Sequence, residues 1–149
     1  MGSPLAALAA RREELVAELV EDVPVPRWSN PALTLRIQPV EHGIIDAQRT
    51  RASKMPKGKK RDEAVFRANA VIVAAGTVEV VVGDDDVDQV TQDLTDPEFL
   101  SALGLPEDTN RADVIMRISL RDGDVLTLAR KVVEISGYVG ETDEEFLGE

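Results

Sequence analysis

A few groups of side chains have the types and spacing that chemistry would need. Asp84, Asp86 and Asp88 are spaced like the first three ligands of an EF-hand calcium loop. The rest of that loop is missing, because Gln89 stands where the sharp turn needs glycine and Thr95 where a bidentate glutamate is required. Glu41-His42 is a neighbouring carboxylate and imidazole, and His42 is the sole histidine. Adjacent residues point in different directions, and no serine sits in a Gly-x-Ser-x-Gly turn to complete a triad. Lys57-Gly58-Lys59-Lys60-Arg61 would suit phosphate contacts. That run is too short and too poor in glycine to cradle a phosphate, and it lacks the interleaved aromatics on which single-stranded nucleic acid stacks. With no cysteine, thiol catalysis, disulfides and cysteine-ligated metals are excluded. The reading is of a chain with no catalytic residue, no metal site and no cofactor.

Composition narrows the class further. The 149 residues carry 28 acids against 17 Lys+Arg, a net charge of −11, so phosphate backbones are repelled and no nucleic-acid partner is expected. Hydrophobic residues at 43% and charged residues at 30% describe a soluble globular chain. A wholly apolar stretch such as Ala70 to Ala75 falls far short of the roughly 20 residues a membrane span needs. The alanine-rich start lacks a positive n-region and runs into Arg11, Arg12, Glu13 and Glu14, so it reads as an amphipathic helix of a cytoplasmic protein. Charge is segregated. Eight of the basic residues lie between Arg49 and Arg67, and eight acids with no base lie between Glu79 and Glu98. Patches of opposite sign could pair copies of the chain into a homo-oligomer, or serve two partners; solvated loops would show the same pattern.

The elements that must hold these groups follow from periodicity. Ser3-Pro4 opens a helix expected over 3–23, with Leu8, Leu15 and Leu19 on a face to be buried. Pro24 stops it, and 24–31 is a stiff connector containing Trp28. Leu33, Leu35 and Ile37 alternate as a strand, and a short helix is expected over about 40–52. Residues 53–60 read as a mobile basic loop. A second long helix over 61–75 ends at Gly76, followed by a strand at Val78, Val80 and Val82. The C-terminal half is helical: Asp96-Pro97 caps one helix, Thr109 or Asn110 the next, and Asp122 the last. Residues 140–149 form a frayed acidic tail. This predicts one α+β domain over 1–149, mainly α-helical, with one or two short strands. Its core is drawn from Leu15, Leu19, Val65, Phe66, Ile72, Val73, Phe99, Leu103, Ile115, Ile118, Leu128, Val132 and Val133.

The last third carries a pattern made of Asp96-Pro97-Glu98-Phe99, Ala102-Leu103-Gly104-Leu105-Pro106, Leu120-Arg121-Asp122-Gly123-Asp124-Val125-Leu126 and Glu134-Ile135-Ser136-Gly137-Tyr138. It resembles the tail assembly chaperones of long-tailed, siphovirus-type bacteriophages, which tend to close with a short acidic or glycine turn, a helix and a Ser-Gly-aromatic ending. Phe66 to Ala75 is similar to that family's middle helix, and Leu33 to Pro39 to its strand with a proline. The resemblance implies a small, largely helical, non-enzymatic protein of the host cytoplasm. Such proteins coat the phage tape-measure protein during assembly, give way to the tail-tube protein, and are often also made as a longer frameshifted form. No client-contacting residue carries over from it.

The residues themselves leave other readings open. A structural subunit of a phage-like particle, such as a head–tail connector or minor tail protein, would suit the same length and pattern. A small nucleic-acid regulator would use Lys54 to Arg67, and an enzyme ranks last for want of a nucleophile or cofactor loop. Trp28 and Tyr138 are candidate partner anchors, because aromatics dominate interface energies and the chain has five. For Trp28, packing against the prolines beside it is an equal expectation. Lys57, Lys59 and Lys60 are the candidate charged contacts.

Overall fold

A computed structural model describes residues 3–85 and 88–137. The proposed anchor Tyr138, the tail 140–149 and Asp86 of the acidic run lie outside the described residues. In chain order the elements are α1 (Pro4–Glu18), β1 (Glu21–Pro24), β2 (Leu33–Ile37), α2 (His42–Ser53), α3 (Lys59–Gly76), β3 (Thr77–Val82), β4 (Val90–Gln92), α4 (Pro97–Ala102), α5 (Arg111–Ile118) and α6 (Asp122–Ile135). This is a mainly helical α+β fold. Its sheet is antiparallel in the order β1-β2-β3-β4, two strands more than the alternating stretches announced.

The sheet sorts its faces by alternation. Leu33, Leu35 and Ile37 of β2 and Val80 of β3 turn inward, with Leu35 opposite Val80. On the outer face Arg36 reaches both ways. It donates to Asp22 of β1 at 2.9 Å and to Glu79 of β3, and these carboxylates hold its guanidinium above the ordinary value, Asp22 foremost. Against the inner face pack α3, α5 and α6. Ile72 and Val73, Ile115 and Ile118, and Val125, Leu128, Ala129 and Val132 join the strand residues in one contiguous core. The helix α3 passes into β3 with no intervening loop, and Gly76 is what makes the join possible. A Cβ there would meet Val132 Cγ1 at 3.1 Å, the Gln38 carbonyl at 3.2 Å and Val40 Cγ2 at 3.2 Å.

Several boundaries differ from expectation, each for a physical reason. The first helix stops at Glu18 instead of reaching residue 23, because Glu21–Pro24 pairs with β2 as an edge strand. An edge strand tolerates proline, and Val23 supplies its buried side chain. Leu15 and Leu19 are not core: they are 44% and 51% exposed, and α1 buries no residue at all. Of the segment 24–31, Pro24 ends β1 and the rest lies in the turn between β1 and β2, with Val25 buried and a cis Asn30–Pro31 peptide. The basic loop is shorter than 53–60. Ser53 ends α2, while Lys59 and Lys60 already belong to α3, whose N-cap is Gly58 at φ 138°. The last helix is capped by Arg121, and Asp122 is its first residue. Among the described residues no helix is long and apolar enough to cross a membrane.

What remains of the basic loop is exposed apart from half-buried Met55. Limited trypsin digestion is expected to cut first after Lys54 or Lys57, before Lys59 and Lys60 on the first turn of α3. Mass spectrometry of the earliest fragments checks this. Resistance at Lys54 and Lys57 would mean that the turn is docked.

Candidate partner-docking groove

A predominantly apolar concavity lies where the sheet's β4 edge meets α4. It encloses about 450 Å³ between Leu33, Val82 and Val90 on the strands and Phe99 and Leu103 on the helix side, with Trp28 at one end. Each wall is fixed by local sequence. Asp96 caps α4 by accepting from the Glu98 amide at 2.9 Å, with Pro97 at the first helical position. Gly104 at φ +74° ends it in a Schellman turn, where the Leu105 amide reaches the Leu100 carbonyl at 2.8 Å. Arg117 then donates to the Leu103 carbonyl at 3.0 Å, tying this turn to α5.

The turn bearing Trp28 is anchored at several points. The Trp28 indole N–H donates to the Ile118 carbonyl at 2.8 Å. Arg27 donates to Asp124, a carboxylate with 7% of its side chain exposed, at 3.1 Å. The Ala32 amide donates to Asp84 at 3.2 Å and the Gly83 amide to the Ala32 carbonyl at 3.0 Å, which locks the turn onto the start of the β3–β4 hairpin. Trp28 is half-buried, so it packs against the core with one part and lines the groove with another.

The groove carries a negative edge. Glu98 is part of its lining, Asp84, Asp85 and Asp88 stand in the bordering β3–β4 turn, and Asp96 caps the adjoining helix. Asp93 is compensated by Arg111 at 3.1 Å. Val90 is 50% exposed, an apolar side chain on the open lip. The arrangement suits an apolar group flanked by cations. Among the described residues of the lining, Glu98 is the only titratable side chain.

The other singled-out residues lie elsewhere. Lys57, in the turn between α2 and α3, and Lys59 and Lys60, on the first turn of α3, are close together and exposed. They sit on a helical hairpin, apart from the turn that carries Trp28. His42 opens α2, and its Nε2 lies 2.8 Å from the Ser136 carbonyl, which makes it a tie between α2 and the end of α6. Among the described residues no group of three or more His, Asp or Glu side chains could hold a metal. Sequence reasoning had placed Phe99 and Leu103 in the core and passed over Val90. The sequence signals for the groove were Trp28 and, far from it in the chain, the run of acids at 84–88. No family model, curated protein or solved structure matches this chain.

Proposed function

We propose that this protein is a non-enzymatic tail assembly chaperone of a long-tailed phage, which holds the tape-measure protein in the host cytoplasm while the tail tube is built around it. The observation that carries the reading is the acid-edged apolar groove between β4 and α4. A helix laying one or two large apolar side chains into it, with Lys or Arg beside them, would complement both its shape and its charge. The resemblance of the last third of the sequence to tail assembly chaperones supplies the identity of the client. The acidic composition supports the same role, since a net charge of −11 keeps a carrier soluble while its client's apolar surface is covered.

Co-expression with the tape-measure protein tests this. The client's soluble fraction should rise when this chain is present, and a complex should be recovered at low salt. Val90→Lys, on the exposed lip, should weaken capture about tenfold by placing a cation and a polar head where an apolar client sits. Reversing Lys57, Lys59 and Lys60 to Glu should weaken any contact made by the basic turn, as should raised salt. A client equally soluble with and without this chain, and no complex at low salt, would sink the proposal.

One observation favours a second reading, a structural subunit such as a head–tail connector or minor tail protein: α1 presents apolar residues that its own fold leaves uncovered. Purified virions separate the two. A subunit should be present in stoichiometric amount, and a chaperone should be missing.

A further inference from the structure

The first helix is built carefully and then given little to pack against. Ser3 caps it by accepting from the Ala6 amide at 3.1 Å, and Pro4 stands at the first helical position. Arg11 spans its flank to Glu14 at 2.9 Å and Glu18 at 3.8 Å. Yet its 15 residues bury none of their number, and Val16 alone is half-buried. An isolated helix of that length is marginal in water, and helices in proteins draw most of their stability from packing an apolar face. The rest of the fold does not supply that packing.

The uncovered face is patterned. Leu5, Leu8 and Leu15, with Leu19 at the C-cap, are 76%, 66%, 44% and 51% exposed. Their spacing puts them at the a, d, d and a positions of a heptad seam, with Arg12 at the central a position. At about 100° per residue the four leucines fall within roughly 80° of the helix circumference. Val16 lies beside this stripe and, with Arg12, borders Pro39, Val40 and Ile44, while Leu19 borders Glu134 and Ile135, so α1 leans on the body by one edge and leaves Leu5, Leu8 and Leu15 outward.

We infer that this seam pairs with α1 of a second copy of the chain, antiparallel and about a two-fold axis. Charge selects the occupant and the direction. A parallel pair would stack Arg12 on Arg12. An antiparallel pair centred between Arg12 and Leu15 puts Leu8 across from the second copy's Leu19, and Arg12 across from its Leu15, where the arginine stem covers the leucine and the head reaches water, while Leu5 overhangs the end of the partner helix. The same register sets Arg11 near the second copy's Glu18, and the two-fold axis repeats each contact. Such self-complementarity is what a closed dimer requires. The proposal does not depend on the client reading, since it uses no residue of the groove.

Sedimentation or light scattering on the full chain at rising concentration reads it directly. Twice the 16.2 kDa chain mass is expected at high micromolar concentration. Leu8→Glu with Leu15→Glu should return the monomer mass, and both sites are exposed, so the core's cooperative unfolding should be unchanged. Arg11→Glu should raise the dimer dissociation constant about tenfold, and adding Glu18→Arg should restore it. A wild-type chain that stays monomeric overturns the proposal, as does a dimer that survives the leucine changes. Failure of the Glu18→Arg rescue overturns the antiparallel register. A monomer whose leucine variant loses the tape-measure client would overturn self-pairing while leaving the chaperone reading intact.

Discussion

Leu128→Ala is expected to lower the unfolding free energy by about 3 kcal/mol, while Leu8→Ala lowers it by less than about 0.5 kcal/mol. The two changes are chemically identical and both sit on helices, so intrinsic helix propensity cancels to within a few tenths of a kcal/mol. They differ in what surrounds them. Leu128 is 1% exposed, on the face of α6 that packs with α3 and the sheet, and its removal leaves a cavity that close-packed neighbours fill only in part. Leu8 stands 66% in water. Urea denaturation followed by circular dichroism gives both numbers, at a protein concentration low enough to keep the chain monomeric, because dimerisation through α1 would add concentration-dependent stability to the wild type. For Leu128→Ala the midpoint of thermal unfolding should fall by roughly 6–12 °C. Equal costs at the two positions would mean that α1 is packed against the body after all.

That contrast marks where sequence reading works here and where it stops. Periodicity identifies an amphipathic helix, and it did so for α1, α3 and α6 alike. It does not say against what the apolar face is packed. For α6 the i, i+3, i+4, i+7 pattern of Val125, Leu128, Ala129 and Val132 points into the core. For α1 a weaker stripe of leucines points to solvent. The central strand pair was legible because β2 and β3 each carry alternating branched residues, and Leu33 and Val82 bracket the register. The outer strands were not. β1 is four residues ending in proline and β4 is three residues with one exposed valine, too short for a period to emerge. Local chemistry did better than periodicity at helix ends: Asp96-Pro97, Asn110 and Gly104 all stand where capping geometry requires. The lysines 59 and 60 were misplaced for the opposite reason. Three cations in succession are unfavourable at a helix N-terminus, so the run looked like loop, while the start is fixed by Gly58 and by Val65 and Ala68 packing on Ala52 one helix away.

The groove was the least legible part, because it belongs to no segment. Trp28, Leu33, Val82, Val90 and Phe99 come from a turn, three strands and a helix, spread across half the chain. Each residue alone reads as ordinary core. Only the sheet order, which brings the β4 edge beside α4, leaves Val90 uncovered and turns Trp28 into a wall. The acids around it were visible in the sequence as a run, but a run of acids without the apolar surface it borders says only that a loop is solvated.

Arg111→Met is expected to cost about 2 kcal/mol and to lower the melting midpoint by roughly 4–8 °C, a large effect for a side chain that is 39% exposed. No pattern in the sequence singled this residue out. It is the first residue of α5, the end of a helix dipole where a cation is disfavoured, and Asp113 in the first turn and the Asn110 cap offset that placement. What holds it there lies 34 and 37 residues back along the chain. One guanidinium nitrogen, Nη2, donates to the carbonyls of Ala74, at 3.0 Å, and Thr77, and Nη1 pairs with Asp93 at 3.1 Å. These carbonyls flank the loop-free join of α3 to β3, where the last turn of a helix leaves acceptors without intrahelical partners. Methionine keeps the volume of the stem and removes every donor, so the carbonyl of buried Thr77 loses a charge-assisted partner. Arg111→Lys should recover only part of the loss, because an ammonium on a flexible stem does not match a planar fork that serves two carbonyls and a carboxylate together. Raised salt should weaken the Asp93 contact in the wild type while leaving the bonds to the carbonyls largely intact. Thermal unfolding of the three proteins, with amide exchange at Gln38 and Thr77 as the local readout, separates these contributions. If the methionine variant melts with the wild type and exchange at the join is unchanged, water satisfies the carbonyls and the guanidinium is dispensable.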